Sequence, residues 1–123
     1  MSQSSYKKLV VWEKSMKLVD EVYRATKKFP LSETNNLISQ MQRAAVSIPS
    51  NIAEGQYRFS VTQNRQFLKI AYGSCAELET QVAIATSLRY LSRTEVEMLT
   101  SLIEEILRML NKFILVKVGP SKI

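Results

Sequence analysis

A chain without histidine must do any proton chemistry near neutral pH with carboxylates, lysine or cysteine of displaced pKa. Few residues qualify. Glu77 and Glu79 are two positions apart, so on a helix they point in different directions and do not form the paired carboxylates of a hydrolase. Cys75 is the sole cysteine and lies among apolar residues at helical spacing, which reads as an inert core thiol rather than a nucleophile. Being single, it closes no intrachain disulfide, and a reducing compartment fits. No CxxC or histidine pair offers zinc ligation, and GQYRFS lacks the second glycine and the lysine of a phosphate-cradling loop. The expectation is a protein that is not an enzyme and has no metal or cofactor.

Two other groups of polar residues are more informative. Arg43, Asn51 and Glu54 fall in one helical segment, and Ser74, Glu77 and Gln81 in the next. If these segments pack antiparallel, the two sets face one another. A structural polar network is then expected in preference to a ligand pocket, because buried charges must be paired. The second group is cationic. Lys14, Lys17 and Arg24, together with Tyr57, Arg58, Arg65 and Lys69, form a candidate nucleic-acid surface. Cations hold phosphates without reading sequence, and an exposed Tyr57 or Phe59 can stack on a base. The formal charge of +6 and the pI near 9.6 agree with RNA or DNA as partner, or with an acidic or nucleic-acid-bound protein. The excess is concentrated: residues 1–30 hold 7 basic and 3 acidic residues, whereas residues 31–90 and 91–123 each hold 5 and 4. A mildly basic, solvated surface that serves only solubility is the alternative.

These residues must be positioned by helices. Only 3 glycines and 3 prolines occur in 123 residues, too few for the frequent turns of a sheet. A helix is expected over residues 9–28, with Trp12, Met16, Val19 and Tyr23 as its stripe, widened by Val11, Leu18, Val22 and Phe29. A second begins near Ser32 or Glu33 and buries Leu37, Met41, Ala44, Ala45, Ile48 and Ile52, with a kink near Pro49 and a stop at Gly55. The third opens on Ser60 and runs to about residue 89, with Val61, Leu68, Ala71, Cys75, Leu78, Val82 and Ala85 in a heptad that Asn64 interrupts. Gly73 in its interior is expected to mark close approach of another backbone. The fourth opens on the capping box Ser92 and Glu95, and Val96, Leu99, Ile103, Ile106, Leu110 and Phe113 form its stripe. Met98, Leu102, Leu107, Met109 and Ile114 broaden that stripe beyond the needs of one bundle, which implies subunit contact.

Short connections then give an all-α, antiparallel up-down-up-down four-helix bundle over residues 8–116, with disordered ends at 1–7 and 117–123. The start MSQSSYKK has no apolar signal core and no apolar run approaches the roughly 20 residues of a membrane span, so no membrane association and a cytoplasmic location are expected.

SIPSNIAEG followed by FLKIAYGSCAELETQ, with LVVWEKSMKL and VYRATKKFP before them, resembles the four-helix-bundle family of 23S rRNA-intervening-sequence proteins over roughly residues 6 to 115. Ser15 stands where that family usually has alanine. The resemblance implies a ring-like homopentamer and a relation to the accessory variability determinants of diversity-generating retroelements. It leaves open whether the bundle is a nucleic-acid-binding adaptor or a pure protein-interaction scaffold.

Overall fold

The computed structural model describes the backbone of residues 9–118 and the side chains of residues 9–115. Four helices carry the fold: α1 (Val10–Thr26), α2 (Ser39–Gln56), α3 (Val61–Ser87) and α4 (Arg93–Val118). Among the described residues there is no strand. The ends expected to be disordered, 1–7 and 117–123, lie outside the described residues except for the last two positions of α4.

Each helix buries a stripe. In α1 the buried row is Val11, Ser15, Leu18, Val22 and Ala25, alternating by four and three, with Thr26 buried beside it and Phe29 continuing the row. The stripe through Trp12, Met16, Val19 and Tyr23 is therefore not the core stripe: Met16 and Tyr23 are exposed, and Trp12 and Val19 half-buried. A serine occupies the central core position and obscures the register. Its hydroxyl bonds Trp12 O at 2.7 Å, which makes a buried polar group tolerable. The buried side of α2 is the expected one, Met41 through Ile52, with Leu37 buried just before the helix, and in α3 it runs through Leu68, Ala71, Cys75, Leu78, Val82 and Ala85, whereas Val61 is exposed. Leu99, Ile103, Ile106 and Leu110 of α4 complete the core, each large aliphatic side chain contributing about 1.5–3 kcal/mol.

The additional apolar residues of α4, Met98, Leu102, Leu107, Met109 and Ile114, pack on or in this same core. They are not the surplus that the stripe suggested. Apart from Leu115 near the end of α4, exposed apolar side chains of the helices lie elsewhere, among them Met16, Tyr23 and Val46 on α1 and α2, Ile70, Tyr72 and Ile84 on α3, and Leu88 just after it.

Lys14 pairs with Glu105 at 3.0 Å and Lys28 with Glu95, so advancing along α1 retreats along α4, and the two run antiparallel. The α2 and α3 helices meet in the same sense, with Gly55 against Asn64 and Phe67, and Ser47 against Ser74. A Cβ on Gly55 would lie 3.0 Å from Asn64 Nδ2 and 3.2 Å from Asn64 O, so this glycine is the point of close approach. Gly73 is not. A Cβ there meets nothing within 4 Å.

Helix two starts later than its polar residues imply. A 3₁₀ turn (Leu31–Glu33) and a π turn (Thr34–Ile38) precede it, with Asn35 at φ −98° and ψ 19°. Here side chains compete with the helix for backbone groups: Thr34 Oγ1 bonds Leu31 O at 2.7 Å, and the Glu33 carboxylate accepts from Leu37 N and Asn36 Nδ2. Farther along, α2 is helical on both sides of Pro49. Ser50 Oγ donates to Val46 O at 2.8 Å and Asn51 Nδ2 to Ser47 O at 2.8 Å, supplying side-chain donors beside the residue that lacks an amide hydrogen. The capping box of α4 is formed in both directions, Glu95 N to Ser92 Oγ at 3.1 Å and Ser92 N to Glu95 Oε1 at 2.9 Å.

Candidate nucleic-acid interface

The seven candidate contact residues separate into two groups. Lys14, Lys17 and Arg24 follow α1, and two of them are already engaged: Lys14 with Glu105 at 3.0 Å, and Arg24 with Glu21 at 2.8 Å. Arg24 also lies toward the end of the bundle where Lys28 meets Glu95, away from the α2–α3 connection. Tyr57, Arg58, Arg65 and Lys69 belong together at the opposite end. Arg58 pairs with Glu54 and sits over the Phe67 ring, 4.7 Å from its centroid, which fixes its guanidinium at the corner between α2 and α3. Arg65 and Lys69 are one turn apart on α3.

Charge is asymmetric along the bundle axis. From residue 55 to residue 76 there are three cations, Arg58, Arg65 and Lys69, and no acid. The end of α4 reaches the same pole, where Phe113 and Leu9 line one cavity with the α2–α3 connection. Between residues 106 and 115, α4 adds Arg108 and Lys112, both exposed, and again no acid. Nothing local in the sequence marks Arg108 and Lys112, because α4 reads first as a core helix and only the packing shows which pole its end joins. Exposed Tyr57, Phe59 and Tyr72 interleave with these cations. Cations gathered at one pole reinforce one another toward a polyanion, and aromatic faces among them accept stacked bases.

The cavity at this pole has a volume of about 710 Å³. Ile52 and Leu68 lie in its wall, with Phe59, Val61 and Phe113. Asn64 also lines it, is only 8% exposed, and its Oδ1 has no hydrogen-bond donor among the described residues. An orphaned buried acceptor costs about 1–3 kcal/mol. In the sequence this residue registers as an interruption of a heptad, which is the only signal it gives.

The polar set expected as one network is divided. Asn51 Nδ2 reaches Ser47 Oγ at 3.0 Å, and Ser47 Oγ meets Ser74 Oγ at 2.8 Å, so a short chain of hydrogen bonds crosses from α2 to α3. Ser47 is its central member. Gln81 Nε2 donates to Glu77 at 3.3 Å within α3, and Glu54 pairs with Arg58 within one turn. Arg43 turns the other way, into a shallow groove with Tyr23 and Gln42 between α2 and α1, and does not meet Glu77.

Burial, and secondarily the Glu79 carboxylate, push the Cys75 thiol up to about 12, and its Sγ lies 3.6 Å from Ile103 O. A thiol so far from ionisation is a poor nucleophile. Among the described residues no group of three or more His, Cys, Asp or Glu side chains is placed to hold a metal ion, and no helix is long and apolar enough to cross a membrane.

Comparison with known proteins agrees with this architecture. The solved structure of a protein with unknown function from the S23 ribosomal protein family of Bacteroides thetaiotaomicron superposes with a TM-score of 0.78 at 24% identity, over 85% of this chain and 98% of that one. No curated protein matches the chain. The family model described as 23S rRNA-intervening sequence protein matches residues 7–112. On that match, which spans nearly the whole bundle, the chain belongs to the 23S rRNA-intervening sequence protein family.

Proposed function

We propose that this protein is a non-enzymatic, self-assembling helical bundle that binds nucleic acid, RNA first, through the pole formed by the α2–α3 connection, the first turns of α3 and the end of α4. One observation carries the reading. Three cations and exposed aromatic residues occupy residues 55–76 without a single acid, and of the three only Arg58 is paired among the described residues, with Glu54 just outside that span. The term that binds phosphate is sequence-independent and collective, so a cluster counts for more than an equal number of scattered lysines. Assembly into a homopentamer, as expected from the family resemblance, multiplies such clusters on one particle. The apolar residues exposed on α1, α2 and α3 are the surface for that contact, in place of the α4 stripe.

The test has two parts. Fluorescent RNA and DNA of about 30 nucleotides are titrated with the protein at low salt, where phosphate contacts are strongest. Association that weakens steeply as salt rises supports the reading, and no association at low salt refutes it. Light scattering supplies the mass: a value near 14.1 kDa, that of one chain, refutes assembly. A bundle that assembles but ignores both polymers would be a protein-interaction scaffold whose positive charge docks an acidic partner chain.

A further inference from the structure

We infer that two unlike exposed faces of this chain, the groove between α1 and α2 and the outer side of α3, meet each other in a head-to-tail contact between successive copies; this rests on the self-assembly already proposed and names the surfaces that make it.

The first face is concave. The row Trp12, Met16, Val19 and Tyr23 has helical spacing yet is not the core row of α1, and Met16 and Tyr23 are exposed, as is Val46 of α2. Tyr23 and Val46 line one shallow groove of about 420 Å³ with Gln42 and Arg43. Gln42 Nε2 donates to Thr26 Oγ1 at 3.2 Å, which ties α2 to α1 there. The second face is a ridge. Ile70, Glu77 and Ile84 are spaced by seven along α3 and so share one side of it, with Leu88 four residues further on, and all four are exposed.

Charge decides which face meets which. Among the described residues Arg43 has no carboxylate and Glu77 no cation within pairing distance. Within one chain Arg43 turns into the groove toward Tyr23 and does not meet Glu77. Pairing either face with itself brings Arg43 toward Arg43, or Glu77 toward Glu77, and sets groove on groove or ridge on ridge. Pairing the unlike faces joins cation to acid and ridge to groove. Each copy then keeps one free groove or one free ridge, so the contact repeats until it closes a ring or runs on as a filament. A foreign partner would account for one of the two faces, whereas a second copy accounts for both.

Light scattering and circular dichroism on the full chain test the pairing. Tyr23→Asp places a charge in the groove and Ile84→Asp places one on the ridge, both at exposed positions outside the core. Each variant alone is expected at the 14.1 kDa of one chain with helicity unchanged. An equimolar mixture is expected at twice that mass, because one intact groove and one intact ridge remain between the two chains. Arg43→Glu and Glu77→Arg leave every apolar side chain in place. Each alone should weaken association at least ~10-fold, and both in one chain should restore it to within ~3-fold of wild type. If an aspartate variant loses helicity, these charge reversals decide. Wild-type mass in either aspartate variant overturns the assignment of that face. A mixture that stays at the mass of one chain, or reversals that fail to compensate, overturns the head-to-tail pairing while self-assembly stands. A wild type already at the mass of one chain refutes self-assembly, and the contact with it.

Discussion

Gly55 and Gly73, both within helices, should respond in opposite directions to the same methyl group. At Gly73 an added Cβ meets nothing within 4 Å, so Gly73→Ala changes only backbone freedom, worth about 0.8–1 kcal/mol in a helix interior. The expected gain is about 1 kcal/mol, or a rise in melting temperature of about 4 °C for a domain of this size. At Gly55 the Cβ would sit 3.0 Å from Asn64 Nδ2, 3.2 Å from Asn64 O and 3.2 Å from Phe67 Cβ. The first of these can swing aside. The other two belong to the backbone and to the root of a side chain, so α3 must move. Overpacking of this kind costs about 1–3 kcal/mol, and Gly55 is one residue from the end of α2, where the propensity gain is smaller. Gly55→Ala should therefore lose about 1–2 kcal/mol. Urea unfolding followed by circular dichroism measures both midpoints, with light scattering on the same samples. A Gly55→Ala protein as stable as wild type would contradict close approach of α2 and α3 at this point. A Gly73→Ala protein that is less stable, or of lower mass, would mean that the bare backbone there faces a second copy of the chain.

Arg89 sits at φ 66°, in the left-handed region, at the end of α3, where Tyr90 N bonds Ala85 O at 2.9 Å and Arg89 N bonds Thr86 O at 3.0 Å. Arg89→Gly should raise stability by up to about 1 kcal/mol in thermal unfolding, and a loss would show that the arginine side chain makes a contact worth more than the strain. Cys75 should react with a thiol reagent only on unfolding, and its thiol, raised from 9.0 to about 12 in the fold, stabilises fully below pH 9. That contribution is lost as pH climbs toward 12, so alkaline unfolding should be blunted in Cys75→Ala relative to wild type. Glu95 behaves in the opposite sense. Partial burial raises its carboxyl, but hydrogen bonds from Lys28 and Ser92 prevail and hold it below its usual 4.5. Its stabilisation is present above pH 4.5 and disappears as pH falls further, so Glu95→Gln should flatten the acid limb of a stability profile between pH 6 and pH 3.

Much of the fold was legible because helices declare themselves in periodicity. The buried side of α2, the heptad of α3 from Leu68 onward and the capping box at Ser92 needed only local rules. The register of α1 was lost at Ser15, because a hydroxyl satisfied by its own backbone belongs in a core yet does not look apolar. The close approach expected at Gly73 lies at Gly55 for a different reason: what a glycine touches is decided by the neighbouring helix, and no local pattern contains it. The candidate site divides in the same way. Arg58, Arg65 and Lys69 are close in sequence and stay together in space, whereas Arg108 and Lys112 join them only through the antiparallel return of α4. Whether a cation is neutralised, as Lys14 is by Glu105, depends on a partner 91 residues away.

The placement of the basic surface is tested most directly by the salt dependence of RNA binding in two charge-removal variants, one at the pole and one on α1. Each phosphate contact on a single strand contributes about 0.7 to the slope of log affinity against log salt. Replacing Arg58, Arg65 and Lys69 together by glutamine should flatten that slope by about 2, while replacing Lys17 and Arg24 should leave it near the wild-type value. An unchanged slope in the pole variant, with flattening in the α1 variant instead, would contradict a basic pole at the α2–α3 connection.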